Sequence, residues 1–144
     1  MIVLDTNVVS ELMRAEPAGT VVEWVDRLPP VDVFLTAVTV AELLYGIERL
    51  PAGRRRRDLA ERVDGMLSED FEHRVLSFDE TAAAHFADIV VRRERAGRPI
   101  NAADAQMAAI CRSHGATLAT RNVDDFAETG ITVTNPWSAS TGVG

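Results

Sequence analysis

Short apolar runs alternate with amphipathic stretches along the whole chain, and this alternation constrains the fold more than any other feature. Ile2-Val3-Leu4, Val33 to Ala37, Val75 to Phe78 and Thr117 to Thr120 read as buried strands, with Ile131 to Thr134 a candidate fifth. Between them, residues 7–14, 20–28, 39–50, 55–68, 79–95 and 102–114 read as helices. Val40, Leu43, Leu44 and Ile47 recur at helical spacing and predict one inward face; Ala82, Phe86, Ile89 and Val90 predict another. Asp79 is placed to cap the helix that follows it, and Gly115 to close the helix that ends at His114. Continuously apolar strands separated by helices imply a parallel sheet covered on both faces. The expected class is therefore α/β, with a central parallel sheet of four or five short strands flanked by helices. In such sheets ligands sit beyond the carboxyl ends of the strands.

The 144 residues are expected to form one domain over residues 1–137, followed by a flexible tail at 138–144. A chain of this length buries roughly two-thirds of its unfolded surface and needs no covalent or metal staple. Its single cysteine excludes a disulfide framework and a cysteine-based zinc cluster, and fits a reducing compartment. The most apolar stretch, residues 33–47, is interrupted by Thr36, Thr39 and Glu42, and falls short of the roughly 18 apolar residues of a membrane span. The opening MIVLDTN has no basic segment of a signal peptide, so a cytoplasmic location is expected, with no membrane partner. All fifteen cationic residues are arginine. The absence of lysine excludes a P-loop and Schiff-base chemistry.

Acidic and polar residues fall where strands give way to helices or loops. Asp5 follows the first strand, Glu42 and Asp104 are expected in the first turns of their helices, and Asn122, Asp124 and Asp125 follow the fourth strand. Each has a structural alternative. Thr39-x-x-Glu42 matches a capping box, Asn101-x-x-Asp104 resembles the same device, and Asp5-Thr6-Asn7 is able to cap a helix. Jointly they point to chemistry. Carboxylates about 4 Å apart repel by on the order of 4 kcal/mol at an effective dielectric near 20, which a protonated acid or a bound cation relieves. An all-oxygen donor set suits Mg2+ or Mn2+, whose usual work is on phosphates. His73, His85 and His114 are scattered, and Cys111 sits among Ala108, Ala109 and Ile110 as a core thiol. The run Arg54 to Arg57 fits either a grip on a nucleic-acid backbone or a solvated helix start with pairs such as Arg57–Glu61. The net charge of −7 argues weakly against nonspecific nucleic-acid binding by a monomer.

The segments IVLDTNVVSEL, TAVTVAELLYGIERL, GRPINAADAQMAAICRSHGATLATRNVDDF and GITVTNPW together resemble the motifs of PIN-domain ribonucleases. The resemblance is to the VapC-type toxins of bacterial toxin–antitoxin pairs, in their FitB-like branch, and it spans roughly residues 1–137. It implies that Asp5, Glu42 and Asp104 match the acidic positions that hold divalent metal, with Asp5 and Asp104 the more usual direct ligands. Thr6 matches a hydroxyl beside the first acid, and Thr120 the threonine opening the last motif. Asn122 stands where many PIN domains carry Asp, which leaves open a second metal and a compensating role for Asp124 or Asp125. The simpler role of Asp125-Phe126 is to anchor the following turn. The resemblance further implies RNA as substrate, Mg2+ or Mn2+ as cofactor and a homodimer. It also implies inhibition by a cognate antitoxin, with promoter DNA bound only through that antitoxin. Two rivals follow from the residues: a non-catalytic binding module, and a phosphatase or phospho-receiver, which the lack of lysine disfavours.

Overall fold

The computed structural model describes residues 1–138. Five strands, β1 (Ile2–Leu4), β2 (Val33–Thr36), β3 (Val75–Leu76), β4 (Thr117–Ala119) and β5 (Thr132–Thr134), form one sheet in the order β3-β2-β1-β4-β5. Every pairing is parallel. The candidate fifth strand is therefore real, and it lies at an edge. The third strand stops at Leu76, short of the expected Phe78.

Six helices join the strands: α1 (Thr6–Leu12), α2 (Gly19–Asp26), α3 (Ala37–Glu48), α4 (Arg54–Gly65), α5 (Glu80–Arg95) and α6 (Ala102–His114). Side chains on a strand alternate between faces. Val3 and Leu118 join one core cluster with Ile89, Met107 and Ile110, beneath α5 and α6. Leu4, Leu35 and Ala119 join the other with Val8, Val9 and Val21, beneath α1 and α2. Cys111 is fully buried in the first cluster, as expected, and burial pushes its thiol up to about 12. The Asp79 side chain accepts from the Ala82 amide at 2.9 Å, and Gly115 ends α6 in the left-handed region at φ 62°.

Three local expectations are corrected. Leu44 does not face inward; Ile47 is buried, Val40 and Leu43 are half-buried, and Leu44 is 46% exposed. The helix presents its buried stripe through Thr39 and Ile47, which turns Leu44 outward beside Tyr45. The helix over 55–68 instead ends at Gly65 and continues as a single π-turn over Met66–Asp70. Among the described residues the arginine run pairs through Arg56 with Glu48, at 2.7 Å, rather than through Arg57 with Glu61. Of the expected tail, Ser138 lies in a turn closed by its amide on the Asn135 carbonyl, and residues 139–144 lie outside the described residues.

One buried cation holds the far side of the site in place. Arg93 of α5 is only 5% exposed, and its guanidinium donates to the carbonyls of Arg98, Asp125 and Ala127 at 2.6–2.9 Å. Phe126, 2% exposed, plugs the same short helical turn, Val123–Phe126, into the core. Both interactions fix the segment after β4. Arg93→Met keeps the apolar stem but leaves buried carbonyls without donors, so it is expected to cost about 2–4 kcal/mol, read as a lower urea midpoint.

Candidate active site

The site lies where the connections change direction. From β1 the chain adds β2 and β3 on one side, then crosses to add β4 and β5 on the other. The crevice outside the carboxyl ends of β1 and β4 is therefore the switch point at which such sheets bind ligands. Leu4 is in register with Ala119, and the Asp5 amide donates to the Ala119 carbonyl at 2.9 Å. That register brings Asp5 beside Thr120. The Thr120 hydroxyl donates to Asp5 Oδ2 at 2.7 Å, and the Asn7 amide group donates to the same oxygen at 3.3 Å. Asp5 Oδ1 accepts the Thr6 amide at 2.7 Å. Asp5 thus caps α1, as its structural reading expects, and its side chain also lines the crevice.

Glu42 is not a capping residue. The cap of α3 is Thr36, whose hydroxyl accepts from the Thr39 amide at 3.2 Å; the helix starts two residues earlier than Thr39, and Glu42 falls in its second turn. Its carboxylate accepts instead from the Thr6 hydroxyl at 2.5 Å, with Thr39 Oγ1 3.3 Å from the same hydroxyl. Asp104 does occupy a first turn. Asn101 accepts the Asp104 amide at 2.8 Å and donates its own amide group to Asp104 Oδ2 at 3.0 Å. Here capping and presentation of the acid are one arrangement.

Asp5, Thr6, Glu42, Asp104 and Asn122 all line one open cleft of about 530 Å³. Burial raises the Asp5 carboxyl pKa, against hydrogen bonds from Thr120 and Thr6 that lower it; the charges of Glu42 and Asp125 add to the rise. Burial, then the charges of Asp5 and Asp125, pushes Asp104 up to about 6. Neither Asp124 nor Asp125 lines the cleft, but the charge of Asp125 adds to the rise at both Asp5 and Asp104. Asn122 brings a neutral amide to the cleft, and its backbone amide donates to the Thr120 hydroxyl at 3.0 Å. Asn7, Glu11, Arg14, Arg121 and Trp137 also line the cleft and were not singled out in the sequence as parts of a site. Asn7 was within reach of sequence reasoning, being two residues from Asp5 in the same motif; Trp137 joins the site only through the fold.

The donor set is hard oxygen, mutually repelling and partly desolvated, which fits a divalent cation. Among the described residues, no three or more histidine, cysteine, aspartate or glutamate side chains stand close enough together to hold one metal ion between them.

A PIN-domain family model matches residues 2–131. The chain belongs to the PIN-domain family. This PIN domain is 41% identical to the VapC ribonuclease Y4jK of Sinorhizobium fredii, over 95% of the chain and 98% of that protein. It is 42% identical to toxin FitB of Neisseria gonorrhoeae, over 137 residues that cover 95% of the chain and 99% of that toxin. It superposes on the solved structure of FitAB bound to an IR36 DNA fragment with a TM-score of 0.90 at 42% identity, covering 95% of the chain and 96% of that one. The α/β PIN fold with its five-stranded parallel sheet is that of these toxins.

The raised acid pKa values predict a pH signature in this PIN domain without metal. Asp104 holds its proton in the folded state up to about 6, whereas the unfolded chain releases it near the ordinary value of 3.8. Stability from this group is thus full at low pH and is lost as pH rises between those two values. In EDTA, the melting temperature of Asp104→Asn relative to the native protein is expected to climb from pH 4 to pH 7 and then level. A flat difference would show that neither burial nor the neighbouring acids raise the Asp104 carboxyl.

Proposed function

We propose that this chain is the ribonuclease toxin of a toxin–antitoxin pair, an endoribonuclease that hydrolyses RNA phosphodiester bonds with Mg2+ or Mn2+. The observation that carries this reading is the convergence of Asp5, Glu42 and Asp104, from three distant segments, on one cleft at the switch point of a PIN sheet. The relatives named VapC ribonuclease and toxin FitB support the activity and the biological class.

Asp5 and Asp104 would hold the ion, with Glu42 joining directly or through water. Bound there, a divalent ion offsets charge on the phosphodiester and lowers the pKa of water. The protein's part is orientation. Thr120, Asn7 and the Thr6 amide fix the Asp5 carboxylate from both oxygens. Thr6 donates to Glu42, which in this reading orients the attacking water and takes its proton. Asn122 supplies a neutral amide able to orient water or phosphate without adding to the acid repulsion.

Residues 1–137 form the single PIN domain in this reading. Its partner is a cognate antitoxin whose basic side chain would answer the acids of the cleft. Promoter DNA is met only through that antitoxin, a role supported by FitAB being seen on DNA. Exposed Tyr45 beside Ala41 and Ala103, with Leu44 also exposed on the same helix, supports a homodimer. No helix among the described residues is long and apolar enough to cross a membrane, and the bacterial cytoplasm is the proposed place of action.

The test is cleavage of single-stranded and structured RNAs by protein freed of antitoxin, with Mg2+, Mn2+ or EDTA. Asp5→Asn and Asp104→Asn are each expected to lower the rate about a hundredfold or more, since the ion's share of transition-state stabilisation is several kcal/mol. Cleavage that survives EDTA or Asp5→Asn would remove the metal reading. RNA binding without any cleavage would leave a binding module, the alternative that the neutral Asn122 favours.

A further inference from the structure

The acid cleft has an electrostatic problem that its own residues must solve. An RNA strand entering it brings a negative charge at every phosphate to a place where Asp5, Glu42, Asp104 and Asp125 already repel one another. Arg54 and Arg55 at the start of α4 line the adjoining groove, which shares Thr6, Arg14 and Glu42 with this cleft, but not the part that holds Asp5 and Asp104. Two cations line the cleft itself, Arg14 and Arg121. Arg14 is held by Glu11, a 7% exposed carboxylate 3.2 Å away. Arg121 makes no ion pair among the described residues, and its guanidinium carbon lies 4.8 Å from the centroid of the Trp137 ring.

This guanidinium is positioned from both ends. Arg121 directly follows Thr120, the residue that binds Asp5, and its backbone amide donates to Asn7 Oδ1 at 3.3 Å. Trp137 is half-buried against the α1/α2 core cluster, and its backbone amide is tied to Asn135 Oδ1 at 2.9 Å. The cation–π contact with the indole uses none of the guanidinium N–H donors in an ion pair, which leaves them for the bidentate bonds that arginine makes to phosphate. Holding the group in place beforehand reduces the ordering cost of binding.

We propose that Arg121, held on Trp137, grips a backbone phosphate of single-stranded RNA next to the bond presented to the acids. It is a substrate-positioning group, and this inference rests on the RNA-cleaving reading above. The electrostatic share of single-strand binding is measurable, because each phosphate contact contributes about 0.7 to the slope of log Kd against log salt.

The experiment measures binding of a short fluorescein-labelled single-stranded RNA to the full chain, freed of antitoxin, across a salt series in EDTA. Steady-state cleavage in Mg2+ runs alongside. Arg121→Gln is expected to flatten the salt slope by about 0.7 and to raise KM about tenfold, with kcat within about twofold. Arg121→Lys should restore the slope but only part of the affinity, because a point charge lacks the planar fork. Trp137→Leu should raise KM several-fold with the slope unchanged. An unaltered slope in Arg121→Gln overturns the proposal, whatever happens to KM; so does a native protein that binds no RNA at low salt. Loss of antitoxin binding with RNA binding intact would assign Arg121 to the protein partner and overturn it equally. A native protein that binds RNA and never cleaves would sink the catalytic reading while the slope still judges Arg121.

Discussion

The hydrogen bond from Thr120 to Asp5 is the contact on which the site depends, because it joins the two strands between which the sheet reverses its order. Parallel register makes it unavoidable. Once Leu4 faces Ala119, the next residue of each strand emerges at the same edge, and an acid meets a hydroxyl donor. Thr120 is fully buried, so its hydroxyl has no water to turn to. The same hydroxyl accepts the Asn122 amide and the Asn7 amide group, and thereby sets the course of both loops. A single-residue slip of β4 against β1 would exchange the two core faces as well as break this contact. Stability and function therefore select the same register.

The acids are not tolerated by dilution alone. Asp5 and Asp104 each have a donor that also serves the backbone: the Thr6 amide at the start of α1, and Asn101 at the start of α6. Capping stabilises a helix by about 1 kcal/mol, and both carboxyls still have raised pKa values, from burial first and from neighbouring negative charge second. The residual repulsion is what a cation would relieve. Acids placed only to cap helices would not need to share one crevice.

Most of the fold was legible in the residues, and the reasons are physical. Strands buried on both faces must be continuously apolar, so Ile2-Val3-Leu4 and Thr117 to Thr120 announce themselves, and Gly115 marks a helix end because the left-handed turn there favours it. The three acids of the site were legible by motif. The capping box at Thr39 was misplaced because Thr36 and Thr39 are equivalent candidates by type, and only the end of β2 decides between them. Leu44 looked buried because periodicity gives the width of an apolar stripe without giving its centre. Asp125 had an anchoring role that sufficed for it, through its neighbour Phe126. Its charge on the site follows from Arg93 drawing that turn toward the sheet edge, a contact between residues 32 positions apart.

Counting charges also misleads about where nucleic acid would bind. Fifteen arginines in a chain of net charge −7 suggest a basic surface within an acidic whole. In the fold, many of these guanidinium groups are committed. Arg93 clamps three carbonyls, Arg74 binds the Val33 carbonyl, Arg62 the Met13 carbonyl, and Arg112 the Asp88 carboxylate at 2.8 Å. Their work is to join segments across the chain, which arginine does well because its rigid fork reaches several acceptors at once. From the conspicuous run, Arg54 and Arg55 line a groove that adjoins the acid cleft and shares Thr6 and Glu42 with it, but they do not line the cleft itself. A lone arginine after Thr120 stands inside it, stacked on an indole. In the proposed reading, the cation that serves the acid cleft is a single arginine at a strand end, which neither composition nor clustering reports.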